Sequence, residues 1–309
     1  MSLTGSVHGE LAAALTALNG VILGKERETR LALACLIARG HLLIEDVPGV
    51  GKTTLAQALA RVLGLGYRRI QFTSDLLPAD VIGVSVYDRE TARFTFQPGP
   101  VFSELVLADE INRATPKAQS ALLEAMEERQ ITADGVTHAL PDPFFVVATQ
   151  NPSYQLGTYA LPESELDRFL MRLSLGYPAA DLERELLRGA DRRSLIGALT
   201  PVFTGARLRD IQSLARRLHV SDALLDYVQA LVAATRSGAH CPTGLSPRAA
   251  IALVHAAQAW ALLNGRTGVI PEDVQAVFVA VAAHRLQVDG GSAGALDVER
   301  SILRTVPIP

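Results

Sequence analysis

Cysteine is nearly missing from this chain. Cys35 and Cys241 are its 2 cysteines, each in or beside an apolar helical stretch, so a disulfide scaffold is not expected and a reducing cytoplasm is the expected setting. The 7 histidines are scattered, with no Cys/His cluster at metal-ligand spacing. Aromatics fill only 5% of positions while Ala and Leu abound, which implies an interior of aliphatic helix faces. Neither charge dominates: 29 Lys and Arg stand against 32 Asp and Glu, a formal net charge of −3. That balance gives no reason to expect a nucleic-acid partner, while leaving room for a local basic channel. No basic amino-terminal region leads into an apolar core, and no apolar run reaches about eighteen residues, so neither secretion nor direct membrane insertion is expected.

What the chain does contain is a change of period along its length. Helical patterns open it in "GELAAALTALNGVI" and "KERETRLALACLIARG", the second closing at Gly40 like a helix C-cap. "HLLIE" then reads as a buried strand and "TTLAQALARVLG" as a helix stopping at Gly64. "YRRIQF" is a strand, "TSDLLPADVIG" a polar loop broken by proline, and "VSVYDRETARFTFQPGP" a hairpin. "ELVLADE" and "FFVVATQNP" are apolar strands with polar ends. Between them lie the helix "TPKAQSALLEAMEERQ", with Thr115 as N-cap and Pro116 in its first turn, and a hairpin at Asp134-Gly135. "SELDRFLMRLSL" carries a short helix into a last strand. After Tyr177 helical patterns dominate, from "DLERELLRGA" to "PEDVQAVFVAVAAHRL". The pattern divides the chain into an α/β domain over 1–177 and an all-helical domain over 178–309.

The stretch "EDVPGVGKTT" sits between strand and helix, where a phosphate-binding loop belongs. Asp46 takes the place of that pattern's first glycine. The other parts are present: backbone N–H groups over 50–54, from Val50 to Thr54, open a helix and converge on a phosphate chain. Gly49 and Gly51 allow close approach, and Pro48 stiffens the entry. Lys52 supplies a mobile positive charge to β/γ-phosphates, and Thr53 a hydroxyl for Mg²⁺. "LVLADE" adds a strand ending in acid, with Asp109 placed to hold the ion through its water shell and Glu110 to polarise a water. Asn151, after "VVATQ", can hold a water or a phosphate through its amide, and equally starts an Asn-Pro turn. Arg168 in "ELDRF" and Arg248 in "LSPRA" lie at segment boundaries, where an interface could turn them toward phosphate.

These motifs resemble the MoxR family of AAA+ ATPases. The likeness runs through "LGKE", "LIEDVPGVGKTTLAQALA", "RIQFTSDLLPAD", "FTFQPGPVF", "LADEINRATPKAQSALLEAMEERQIT", "FFVVATQNP", "LPESELDRFLMRL" and "SPRAAIALVHAAQAWALLNGR". It implies a P-loop NTPase core, with a parallel sheet flanked by helices and a helical lid, that binds ATP and Mg²⁺. It makes "EDVPGVGKT" a family variant of the nucleotide loop, Asp109 and Glu110 the Walker B acids, and Asn151 sensor 1. Arg168 becomes the finger that reaches a neighbour's nucleotide, and Arg248 becomes sensor 2 on the lid. It further implies a homo-oligomer, usually a hexameric ring, and chaperone-like remodelling or maturation of partner proteins. Those partners often contain von Willebrand factor A domains, and the work can include metal-cofactor insertion. Leu156 departs from the glutamate common in relatives. The hairpins around 87–94 and Asp134-Gly135 correspond by resemblance to the helix 2 and pre-sensor 1 insertions. Two other readings are a DNA-associated motor and a scaffold that binds nucleotide without hydrolysing it. The first would need a basic stripe or a ladder of stacking aromatics, and the second is opposed by intact Lys52, Asp109 and Glu110.

Overall fold

Two helices, α1 (Leu3–Val21) and α2 (Glu26–Ile37), precede β1 (His41–Glu45) and α3 (Lys52–Val62). β2 (Tyr67–Gln71) and α4 (Pro78–Ile82) lead to a hairpin of β3 (Gly83–Asp88) and β4 (Arg93–Pro98). Next come β5 (Leu105–Asp109), α5 (Pro116–Glu128) and a second hairpin, β6 (Gln130–Ala133) with β7 (Val136–Ala139). β8 (Phe145–Gln150), the single turn α6 (Glu163–Leu166) and β9 (Phe169–Leu173) complete the strands. Helices follow: α7 (Ala180–Arg188), α8 (Arg192–Ala198), α9 (Gly205–Arg216), α10 (Asp222–Ser237), α11 (Pro247–Leu263), α12 (Pro271–Ala282) and α13 (Gly291–Thr305). The structure is a computed structural model and describes residues 3–90, 92–151, 158–188, 192–237, 243–286 and 291–308. Leu156 and Cys241 lie outside the described residues.

Five strands pair in the order β2-β5-β8-β1-β9, and every pair is parallel. Their carboxyl ends therefore share one edge of the sheet, the edge at which open α/β sheets bind ligands. Side chains alternate between two apolar layers, as the pleat requires. Leu42, Leu107 and Val147 face the layer that also holds Leu11, Leu36, Leu208, Leu253 and Val277. Leu43, Val106 and Val146 face the opposite layer with Phe72, Leu122 and Phe144. The first layer joins α1–α3 to the later helices α9, α11 and α12 without a gap in packing.

β9 breaks the alternation. Its Phe169 pairs with His41 and its Met171 with Leu42, so Leu170 is an extra residue in the ladder. The bulge turns Phe169 to one layer and Met171 to the other. Gly40 serves this bulge: a Cβ there would lie 2.3 Å from Leu170. The left-handed residue that ends α2 is instead Arg39, at φ 63°. Two further details differ from the sequence reading. Segment 78–82, expected as loop, is a helical turn with Pro78 at its start and the Asp80 carboxylate accepting the Leu77 N–H at 2.9 Å. Thr115 stands at the N-cap position of α5 but makes no side-chain cap bond. The Asp134-Gly135 hairpin forms as expected, both residues having positive φ, 50° and 78°. No helix among the described residues is long and apolar enough to cross a membrane.

Candidate functional site

The turn from β1 into α3 sits at the carboxyl edge of the sheet. Gly49 and Gly51 have φ of 86° and 96°, and a Cβ on either would meet nothing within 4 Å. Backbone conformation, not crowding, calls for glycine there. Lys52 begins the helix and is 7% exposed. Its Nζ donates to the Asp46 carbonyl, to Asn151 Oδ1 at 3.1 Å and to the Gln150 carbonyl at 3.4 Å. Burial draws this ammonium below the usual lysine range, while Asp46, Asp109, Glu110 and Glu45 pull in the opposite direction.

The acids arrive from β5, two strands from β1 across β8. Asp109 Oδ2 lies 3.5 Å from the Thr53 hydroxyl. The amide of Asn151 bridges the centre: its Oδ1 receives Lys52, and its Nδ2 donates to Glu110 Oε1 at 3.2 Å. Lys52, Thr53, Asp109, Glu110 and Asn151, distant in sequence, thus form one connected group. Glu110 is held in the left-handed region, φ 55° and ψ 47°. Its N–H donates to Thr149 Oγ1 at 2.8 Å, and the same hydroxyl donates to Asp109 Oδ1 at 2.5 Å.

Several of these supports were not singled out from the sequence. Arg69 clasps Asp109 Oδ2 through Nε at 2.9 Å and Nη2 at 2.6 Å. Gln71 donates to Glu110 Oε2 at 3.1 Å. Gln71 is paired with Asp109 across β2 and β5, so strand order was the missing information. Thr149 reads in the chain as one more residue of an apolar strand.

A mononuclear Mg²⁺ in a nucleotide site takes few protein ligands and completes its shell with phosphate and water. One hydroxyl and one carboxylate on adjoining elements, Thr53 and Asp109, fit that donor set. Among the described residues there is no group of three or more His, Cys, Asp or Glu that would form an all-protein cage.

Arg168 and Arg248 lie elsewhere. Both pair with Glu127, at 3.0 Å for Arg168 Nε and 2.8 Å for Arg248 Nη2. They line a cleft of about 320 Å³ with Arg39, Arg129, Arg216 and Arg285. His41 lines it too, at the amino end of β1, whereas Lys52 follows the carboxyl end. The length of the strand, roughly 13 Å at about 3.3 Å per residue, separates the two arginines from the lysine group. Arg248 occupies the first turn of α11, whose Ser246 hydroxyl accepts the Ala249 N–H at 3.1 Å, the cap expected from "SPRAA". Arg285, with a side chain 5% exposed, fixes the turn that carries Arg168. It donates to Asp167 Oδ1 at 2.6 Å and to the carbonyls of Phe169 and Leu170 at 2.6 and 3.1 Å.

Comparison with known proteins bears on the family and the fold. Residues 41–171 match the ATPase family associated with various cellular activities (AAA), and residues 233–303 match the AAA lid domain. The chain is 44% identical to YeaC of Bacillus subtilis, over 100% of this chain and 98% of that protein. It is 41% identical to the chaperone MoxR1 of Mycobacterium tuberculosis, over 92% of this chain and 77% of that one. A crystal structure from Cytophaga hutchinsonii superposes with a TM-score of 0.88 at 34% identity, covering 99% of this chain and 97% of its own.

Proposed function

The chain belongs to the MoxR family of AAA+ ATPases, and from that premise we propose that it hydrolyses ATP with Mg²⁺ to remodel or mature partner proteins. The observation that carries the reading is the hydrogen-bonded line from Lys52 through Asn151 to Glu110 at the mouth of the glycine turn. The amides of residues 50–54 and the Lys52 ammonium receive the phosphates, with Pro48, Gly49 and Gly51 shaping the loop. Thr53 and Asp109 would hold the ion, which would supply charge neutralisation at the phosphates. Glu110 accepts a proton from the attacking water, and Asn151 orients it.

The separation of Arg168 and Arg248 from this group supports a trans arrangement. A neighbouring copy would present both arginines to the phosphates, where their charge stabilises the transferring group. That requires a ring of copies, six in the family pattern. In this reading residues 1–177 form the nucleotide-binding domain and 178–309 the lid. The name of the Mycobacterium relative, a chaperone, favours work on other proteins. Partners with von Willebrand factor A domains, and cofactor insertion into them, follow from the family resemblance, as does a cytoplasmic setting. The first hairpin offers a contact surface, since Val84, Val86, Tyr87 and Phe94 are exposed on it.

Replacing Glu110 with Gln tests the reading. ATP binding is expected to persist while hydrolysis falls by roughly 10² or more. Near-normal steady-state turnover would overturn it.

A further inference from the structure

Asp46 stands where the phosphate-loop pattern has glycine, and the structure gives this residue work that glycine cannot do. It is 8% exposed, and both oxygens of its carboxylate are engaged. Oδ1 accepts the N–H of Val47 at 2.8 Å. Oδ2 accepts the Ser174 hydroxyl at 2.9 Å and the N–H of Gly176 at 2.6 Å. Gly176 has φ 62°, the left-handed conformation that a side chain would oppose. One residue later the Tyr177 carbonyl accepts Lys25 Nζ at 3.0 Å. Residues 174–177 are thus a strap leaving β9 for α7, fastened to the nucleotide loop by one carboxylate and to the turn before α2 by one lysine.

The backbone of the same residue faces the reacting group. The Asp46 carbonyl accepts Lys52 Nζ, so engagement of Lys52 with a phosphate would remove one bond from the residue whose side chain holds the strap. β9 also begins beside Arg168, and its far end carries the strap.

We propose that Asp46 is a positioning residue that clamps the exit of β9 to the nucleotide loop, so that engagement of Lys52 with phosphate and the path of the chain into α7 change together. This rests on the ATPase reading above, although the clamp's own hydrogen bonds join protein atoms alone. A charge-assisted bond to a backbone N–H contributes enough that its loss accelerates amide exchange by about tenfold or more.

Hydrogen exchange on the full chain, read at residues 174–177, tests the clamp directly. Without nucleotide, Asp46→Gly and Asp46→Asn are expected to raise Gly176 exchange about tenfold, because Asn keeps only one acceptor for three donors. With a non-hydrolysable ATP analogue, protection at 174–177 changes in the parent. In Asp46→Gly it changes at the loop alone. ATP affinity of Asp46→Gly stays within about threefold while kcat falls about tenfold. Ser174→Ala moves kcat in the same direction, and the double variant is no worse than Asp46→Gly, since both remove one connection. Unchanged Gly176 exchange, or additive effects of Asp46→Gly and Ser174→Ala, would overturn the clamp. If Asp46→Gly does not fold, Ser174→Ala and Asp46→Asn carry the exchange measurement. A parent that binds no ATP would overturn the ATPase reading instead, and the nucleotide-free exchange would still decide the clamp.

Discussion

At the scale of single residues, Asp109 and Glu110 are held by a side chain that is not itself among the proposed phosphate or ion ligands. Thr149 is fully buried, and its hydroxyl is the one group shared by the Asp109 carboxylate and the Glu110 N–H. Valine has nearly its shape without the hydroxyl. Thr149→Val therefore leaves the part-buried Glu110 N–H without its hydroxyl partner beside a strained backbone position, at a cost of about 1 kcal/mol. Urea unfolding of the variant is expected to show that loss, and kinetics a larger fall in kcat than in ATP affinity, because Glu110 moves while the Lys52 loop stays. An unaltered kcat would mean that Glu110 is held by its other partners, Gln71, Arg113 and Asn151.

At the scale of elements, β1 is held at its amino end by a histidine that must stay neutral. His41 Nδ1 accepts the Val146 N–H at 2.9 Å. Nε2 faces the Met126 carbonyl at 3.3 Å, so it carries the proton. The ring joins β1 to β8 and to the end of α5. Burial first, and Arg129 second, lower its pKa from 6.5 to about 4. The unfolded chain therefore binds a proton that the folded chain refuses between those values. Stability from His41 is fully present above about pH 6.5 and is lost as pH falls toward 4, a change of about 3 kcal/mol. His255, lowered to about 4 by burial and by Arg216, adds to the same acid loss. Denaturant midpoints at pH 7 and pH 4 should show a smaller acid loss in His41→Gln than in the parent. Equal losses would remove His41 from the account.

At the scale of the whole molecule, the two groups of charged residues face different ways. The lysine group lies at one edge of the sheet and the arginine cleft at the other, so in the proposed reading each arginine serves a neighbouring copy. In the ring proposed above, each interface would join the lysine group of one copy to the arginine cleft of the next. Lys52→Ala is expected to lose its own ATP, whereas Arg168→Ala and Arg248→Ala are expected to keep ATP but lose turnover. Mixing Lys52→Ala with either arginine variant is expected to restore part of the hydrolysis, because an intact loop then meets intact arginines across some interfaces. The Arg248 mixture is the sharper test, since a lid arginine acting within its own chain gives no recovery. An ATPase assay on mixtures shown to co-assemble decides it.

Much of this was legible in the chain itself. "HLLIEDVPGVGKTTLAQALA" carries its meaning locally, because strand, glycine turn and helix are contiguous and their periods are set by short-range geometry. The same holds for the Asp134-Gly135 turn and for the Ser246 cap, each decided within four residues. The grouping of Lys52 with Asn151 and Glu110 could be expected but not located, since it depends on β8 lying between β1 and β5. Arg69 and Gln71 became visible only through the pairing of β2 with β5. Asp46 looked like a defect in a pattern, because its partners Ser174 and Gly176 are 128 and 130 residues away. Arg248 was expected at a phosphate. Its placement beside Arg168 follows from the packing of α11 on α2, α9 and β9, and long-range apolar burial of that kind has no local sequence signal.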